Sequence, residues 1–232
     1  MQRILITGAN RGLGLEFTRQ LLARGDRVFA ACRHPGKANA LTSLAGAHPG
    51  HLHVLPLDQS ETRAVDELVR EISAITDTLD VLINNAGVLV SGERLGELTP
   101  KTMTESFAVN AMGPLLLSQA LCPLLEKSEH AKVMNMSSRL GSLECTTRFG
   151  TPSYAMSKAA LNMATRQLAA ALAPRNITVF CVSPGWVSTD MGGANATLTP
   201  QQSVSNLLKV LDATTLHDSG SFINHDGEAI AW

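Results

Sequence analysis

Aromatic side chains are scarce in this chain: they make up 4% of 232 residues, with six phenylalanines, two tryptophans and a single tyrosine, Tyr154. The stacking platforms of single-strand nucleic-acid binders have little material here. An excess of charge of one sign is also missing, with 19 Lys and Arg against 20 Asp and Glu. Phosphate neutralisation needs a basic surplus, so no nucleic-acid partner is expected. The four cysteines, Cys32, Cys122, Cys145 and Cys181, form neither a C-x-x-C pair nor a dense framework, which argues against disulfides and structural zinc. The seven histidines are dispersed, with no spacing that suits a metal on one helix face or hairpin. No apolar run approaches the roughly 20 residues that span a bilayer. The strand-like start Met1–Ile6 leaves no room for a signal peptide. The expectation is an ordinary globular protein of the cytoplasm, without metal, membrane or nucleic acid.

What is present is a regular alternation. Short β-branched or aliphatic runs at Arg3–Ile6, Arg27–Cys32, His51–Leu57, Val81–Asn84, Lys132–Met136, Ile177–Val182 and Ser221–Asn224 predict strands. Between them, Gly12–Ala23, Lys37–Ala45, Glu61–Ile75, Lys101–Leu125, Pro152–Leu172 and Pro200–Leu211 carry apolar residues at helical spacing. Thr99-Pro100 and Thr199-Pro200 read as an N-cap followed by proline in the first turn, and Ser60 before Glu61 as a further N-cap. Strict alternation implies a parallel sheet with helices on both faces, joined by right-handed crossovers. With no repeat, low-complexity tract or linker, residues 1–232 are expected to form one domain.

The first strand runs into Thr7-Gly8-Ala9-Asn10-Arg11-Gly12-Leu13-Gly14 and then a helix. Glycines in that context permit a tight turn, bring backbone N–H groups to a pyrophosphate and aim a helix N-terminus at its charge. The spacing is G-x-x-x-G-x-G rather than G-x-G-x-x-G, and a plain turn is the competing reading. The second strand ends at Cys32-Arg33 without the acid that would accept the ribose 2′-hydroxyl of NAD. Arg33 and Arg11 instead suit a 2′-phosphate, which favours NADP; singly, each would pass for a solvated surface charge.

Tyr154 and Lys158 lie four residues apart in a predicted helix, on one face. A cation beside the phenol lowers its pKa from about 10 toward working pH, as a general acid delivering a proton to an alkoxide requires.

Together these motifs resemble the short-chain dehydrogenase/reductase family, and within it the carbonyl reductase, sniffer and C-factor group. The likeness spans nearly the whole chain: Thr7–Gly14, Asp58, Asn84-Asn85-Ala86-Gly87, Asn110, Ser137-Ser138, Tyr154 with Lys158, and Pro184-Gly185-Trp186-Val187-Ser188-Thr189-Asp190-Met191. It implies a single doubly wound Rossmann domain with a parallel seven-stranded sheet and a bound NADP(H). It implies Tyr154 as proton donor, Lys158 on the nicotinamide ribose, and a serine on the substrate carbonyl oxygen. Ser137 and Ser138 compete for that role; Ser138, followed by Arg139-Leu140-Gly141, fits the family pattern. Asn110 resembles the residue that anchors a relay water, though a buried asparagine that only satisfies backbone groups would look the same. Gly8, Asn10, Arg11, Gly12, Leu13, Gly14, Arg33, Asp58, Asn85, Ala86, Gly87, Pro184, Gly185, Val187 and Thr189 would hold the cofactor, with Asp58 at the adenine and Thr189 at the carboxamide. Trp186 is assigned packing only.

Two departures matter. The stretch from Ser138 to Tyr154 exceeds the commonest family spacing, which enlarges the Ser142–Pro152 loop. After Met191 the chain reaches the Pro200 helix quickly, implying a short lid and an open site for bulky or varied carbonyls. Leu115, Leu116, Leu117, Leu121 and Leu124 exceed what one core face needs, so a homodimer is expected. An alternative class remains: an NADP(H)-binding sensor or signalling protein in which turnover is secondary.

Overall fold

The computed structural model describes all residues 1–232. Seven strands join one parallel sheet: β1 (Arg3–Thr7), β2 (Arg27–Cys32), β3 (Leu52–Pro56), β4 (Val81–Asn84), β5 (Lys132–Met136), β6 (Thr178–Ser183) and β7 (Phe222–Asn224). Their order is β3-β2-β1-β4-β5-β6-β7. The chain builds outward from β1 to one side, then returns to β4 and builds to the other. The reversal lies between β1 and β4, where the loops leaving the strand ends separate and open a crevice.

Successive strand residues point to opposite faces, so each strand feeds two cores. Ile4, Ile6, Val28, Ala30, Ile83, Met134 and Phe180 pack on one side with Phe17 and Leu21 of α1 (Gly12–Ala23), Leu41 of α2 (Asn39–Ala47), and Leu207 and Leu211 of α7 (Pro200–Ala213). Leu5, Phe29, Leu82, Val133 and Val179 pack on the other with α3 (Thr62–Ile75), α5 (Gly113–Leu125) and α6 (Pro152–Leu172). Fully burying one such aliphatic or phenylalanine side chain contributes about 1.5–3 kcal/mol. Both faces being covered explains why these strands read as continuous apolar runs.

The expected elements form within a few residues of their predicted ends. Thr199 caps α7 in a reciprocal capping box with Gln202, and Thr99 caps α4 (Pro100–Phe107) through the Thr102 N–H. The Ser60 cap does not form: Glu61 occupies that position without a side-chain bond, and the Ser60 N–H and hydroxyl both donate to Asp58 instead. The Lys101–Leu125 helix is also corrected. It begins at Pro100 and is interrupted by a π-helical stretch, Ala108–Met112, before α5. By length and composition, Pro100–Leu125 could cross a bilayer, its most apolar window having a mean hydropathy of 1.4. Here it is a core helix: Leu117, Leu121 and Leu125 are completely buried against the sheet.

Candidate active site

The crevice at the β1/β4 reversal is a cleft of about 720 Å³, within the size range of small-molecule sites. One end is lined by Arg33, His34, Lys37 and Asp58, the middle by Gly8, Asn10, Arg11, Gly12, Leu13, Asn85, Ala86 and Gly87, the other end by Tyr154, Lys158, Pro184 and Thr189. Most cofactor positions expected from the sequence therefore converge on one cavity. Gly14, Gly185 and Val187 do not line it.

The glycine turn is built by close approach. Gly8 has φ +65°, and a Cβ there would lie 2.9 Å from Ala86 Cα. A Cβ on Gly14 would lie 2.2 Å from Gly8 O, so Gly14 lets α1 pack on the turn rather than touch a ligand. Thr7 Oγ1 accepts from the N–H groups of Asn85 (3.1 Å) and Ala86 (2.9 Å), and Asn85 Nδ2 donates to Thr7 O at 2.8 Å. These bonds fasten the β1 turn to the β4 end. No side chain caps α1, which leaves its first-turn N–H groups facing the cleft as an anion site.

At the Arg33 end of the cleft, Asp58 lies two residues beyond β3. Burial opposes its ionisation, but the Ser60 hydroxyl and amide, with the charges of Arg33 and His34, hold its carboxyl below the usual range. Arg33 is exposed. His34 and Lys37 extend the basic rim, and sequence reasoning missed both although they fall within four residues of Arg33. Arg11 is not a free cation as expected: its Nη1 donates to Asp190 at 2.7 Å across the mouth of the cleft, both side chains being exposed.

At the other end, Tyr154 occupies the first turn of α6 and is 8% exposed; Lys158 stands one turn on at 4%. The Lys158 ammonium is 5.6 Å from the phenol centroid and donates to Met136 O at 2.6 Å. The two share a face, as their spacing requires. The expected electrostatics are reversed, however. Burial pushes the Tyr154 phenol up to about 12, with the Ser138 hydroxyl pulling the other way, and burial pulls Lys158 down to about 8. Desolvation is the largest cause of both shifts.

The two serines differ in surroundings: Ser137 lines the cleft and Ser138 does not. Ser137 is buried, and its hydroxyl donates to Asn162 Oδ1 at 2.6 Å. Ser138 is half-buried, accepts from the Leu140 N–H, and its hydroxyl draws the Tyr154 phenol pKa down against the effect of burial. Asn110 sits inside the π-helical stretch, where the widened turn brings its side chain to the start of the β4–α4 loop. Its Oδ1 accepts from Val88 N–H and its Nδ2 donates to Val88 O, both at 2.8 Å, and to Ser157 Oγ at 2.9 Å. Ser157 Oγ in turn donates to Tyr154 O at 2.7 Å. Both amide donors of Asn110 are thus engaged by protein. Gln59 Nε2 donates to Val109 O at 2.6 Å, serving a carbonyl of the same stretch; nothing local in sequence announces that bond.

After β6, Gly185 packs against His225 and Leu198, Val187 is buried and bridges to Leu198, and Pro184 O accepts from Ser203 Oγ. Thr189 Oγ1 accepts from Gly192 N–H at 3.2 Å. Trp186 is exposed, with its indole N–H donating to Gly192 O at 2.7 Å. The start of the enlarged loop after Ser138 is fastened to the C-terminal residues: Ser142 Oγ donates to Ala231 O and Glu144 N–H to Trp232 O.

A family model described as short chain dehydrogenase matches residues 2–198. The C-signal protein of Myxococcus xanthus is 41% identical over 157 residues, covering 68% of this chain and 95% of that protein. Among solved structures, the carbonyl reductase Sniffer of D. melanogaster superposes with a TM-score of 0.96 at 35% identity, covering all of both chains. The NADPH-bound carbonyl reductase from chicken fatty liver does so at 0.95 and 37%, covering 100% of this chain and 99% of that one. The chain belongs to the short-chain dehydrogenase/reductase family of oxidoreductases, in its carbonyl reductase, sniffer and C-factor-like group.

Proposed function

We propose that residues 1–232 form one NADP(H)-binding domain that reduces a ketone, aldehyde or quinone to an alcohol, with Tyr154 as general acid. The observation that carries this reading is the convergence of Tyr154 and Lys158 at one end of a cleft whose other end is basic, with Ser138 in the segment that leaves β5 beside them. The cleft suits a dinucleotide by its own chemistry: an uncapped helix start behind a glycine turn for the pyrophosphate, and Arg33, His34 and Lys37 for a 2′-phosphate. When bound there, NADPH supplies the hydride.

The protein's part is orientation and charge. Ser138 donates to the carbonyl oxygen, a bond that strengthens as negative charge builds on that oxygen. Tyr154, held neutral by burial, gives its proton to the same oxygen. Lys158 keeps the phenol placed and returns positive potential to a buried site. Because its two amide donors are engaged, Asn110 acts by locking the Val88 loop to the Tyr154 helix. Thr189 and the Pro184 segment close the nicotinamide side. The substrate is a small molecule, and the setting is the cytoplasm. Of the leucines expected to be surplus, Leu117, Leu121 and Leu124 are consumed by the core; exposed Leu115 and Leu116, with Met112 and Met163, support a homodimer through α5 and α6.

The test is NADPH against NADH oxidation over a panel of ketones, aldehydes and quinones. Turnover with NADPH, and acceptance of several bulky carbonyls, is the expected outcome. No turnover on any of them, or one sharply preferred substrate, would contradict the proposal or its open-site component respectively. The likeness to C-signal favours a second reading, an NADP(H) sensor in cell signalling. It predicts that Tyr154→Phe retains biological activity in the source cell.

A further inference from the structure

The helix that carries Tyr154 begins without a cap of its own. Thr151, at the N-cap position, has φ +43° and ψ +53°, a left-handed conformation in place of the extended one that aims a capping side chain at the first turn. It makes no side-chain cap bond, and Pro152 at the first helical position has no N–H to offer. The first free donor is Ser153 N–H, immediately before Tyr154, and Ser153 is fully buried. An unpartnered N–H at that depth would be costly.

The partner comes from 60 residues upstream. Glu93, in the loop between β4 and α4, places one carboxylate oxygen 3.1 Å from Ser153 N–H, and its other oxygen accepts from the Ser153 hydroxyl. The acidic group also sits where the helix dipole is positive. The same loop is tied at its start to α6 through Val88, Asn110 and Ser157. The loop and the first turn of α6 are therefore joined on both sides of Tyr154.

We infer that Glu93 is a positioning residue, a cap supplied from a distant part of the chain that fixes the first turn of α6, and with it the Tyr154 phenol, to the loop beside the cleft. Its structural part stands alone; its catalytic consequence rests on the reductase reading above. The test compares Glu93→Ala, Glu93→Gln and the unaltered protein by amide hydrogen exchange, cofactor binding and steady-state carbonyl reduction. Loss of the cap should speed exchange at 153–155 by about tenfold in Glu93→Ala. In the same variant kcat should fall and KM for the carbonyl rise, each several-fold, while NADPH affinity stays within twofold. Glu93→Gln, whose amide can still accept from Ser153 N–H, should recover most of both. Unchanged exchange in Glu93→Ala, or Glu93→Gln no better than alanine, would overturn the proposal. Because exchange needs no turnover, absence of reductase activity in the unaltered protein would sink the reductase reading and leave the cap still judged.

Discussion

The two ends of the cleft hold ionisable groups by opposite means. At the ribose end, Asp58 is only part-buried, and hydrogen bonds from Ser60 with nearby positive charge carry it below its ordinary range. At the nicotinamide end, Tyr154 and Lys158 are almost wholly buried, and desolvation drives one to about 12 and the other to about 8. The first end works in water, where charges are screened and exchangeable. The second is buried, and there the neutral phenol is the stable form.

Substitutions should divide along this line, the buried end giving the larger effects. Tyr154→Phe should lower turnover by about 100- to 10,000-fold, the range of a lost general acid. Lys158→Met should cost at least about 100-fold in kcat without lowering the melting temperature, because a buried ammonium contributes little net stability.

The pH dependence follows from the same group. Lys158 titrates near 8 when folded, against 10.5 as its ordinary value. Between those values the unfolded chain carries the extra proton, so this group adds stability as pH rises from about 8 to about 10.5. Its charge is lost over the lower part of that window. Carbonyl reduction should therefore decline as pH passes about 8 while thermal stability does not fall through this residue, as paired pH–rate and pH–melting profiles would show.

At the wet end effects should be smaller and salt-dependent. Arg33→Ala should raise the KM for NADPH about tenfold at low salt and less at high salt, with little change for NADH. Asp190→Asn should be smallest, since the exposed Arg11 pair it breaks is worth about 0–1 kcal/mol. If it frees Arg11 for the 2′-phosphate, NADPH binding will tighten slightly in titrations.

The sequence was legible wherever the information was local. Period and punctuation placed all seven strands, and the Tyr154–Lys158 spacing placed both side chains on one face of α6. What it hid was non-local. The π-helical stretch around Asn110 has residues compatible with an ordinary helix, and the Gln59 bond to Val109 O comes from 50 residues away. Arg11 read as a free cation because its partner Asp190 lies 179 residues on. The pKa of Tyr154 was misjudged for the same reason: the cation was visible in the sequence, the burial that raises the phenol pKa was not.

The most direct test measures binding and turnover on one sample of Tyr154→Phe, using Trp186 and Trp232 emission for NADPH affinity and cofactor oxidation for rate. The expected result is an affinity within about twofold of the unaltered protein and a rate lower by at least about 100-fold. Carbonyl reduction that survives the loss of this hydroxyl would contradict the assignment of Tyr154 as the proton donor.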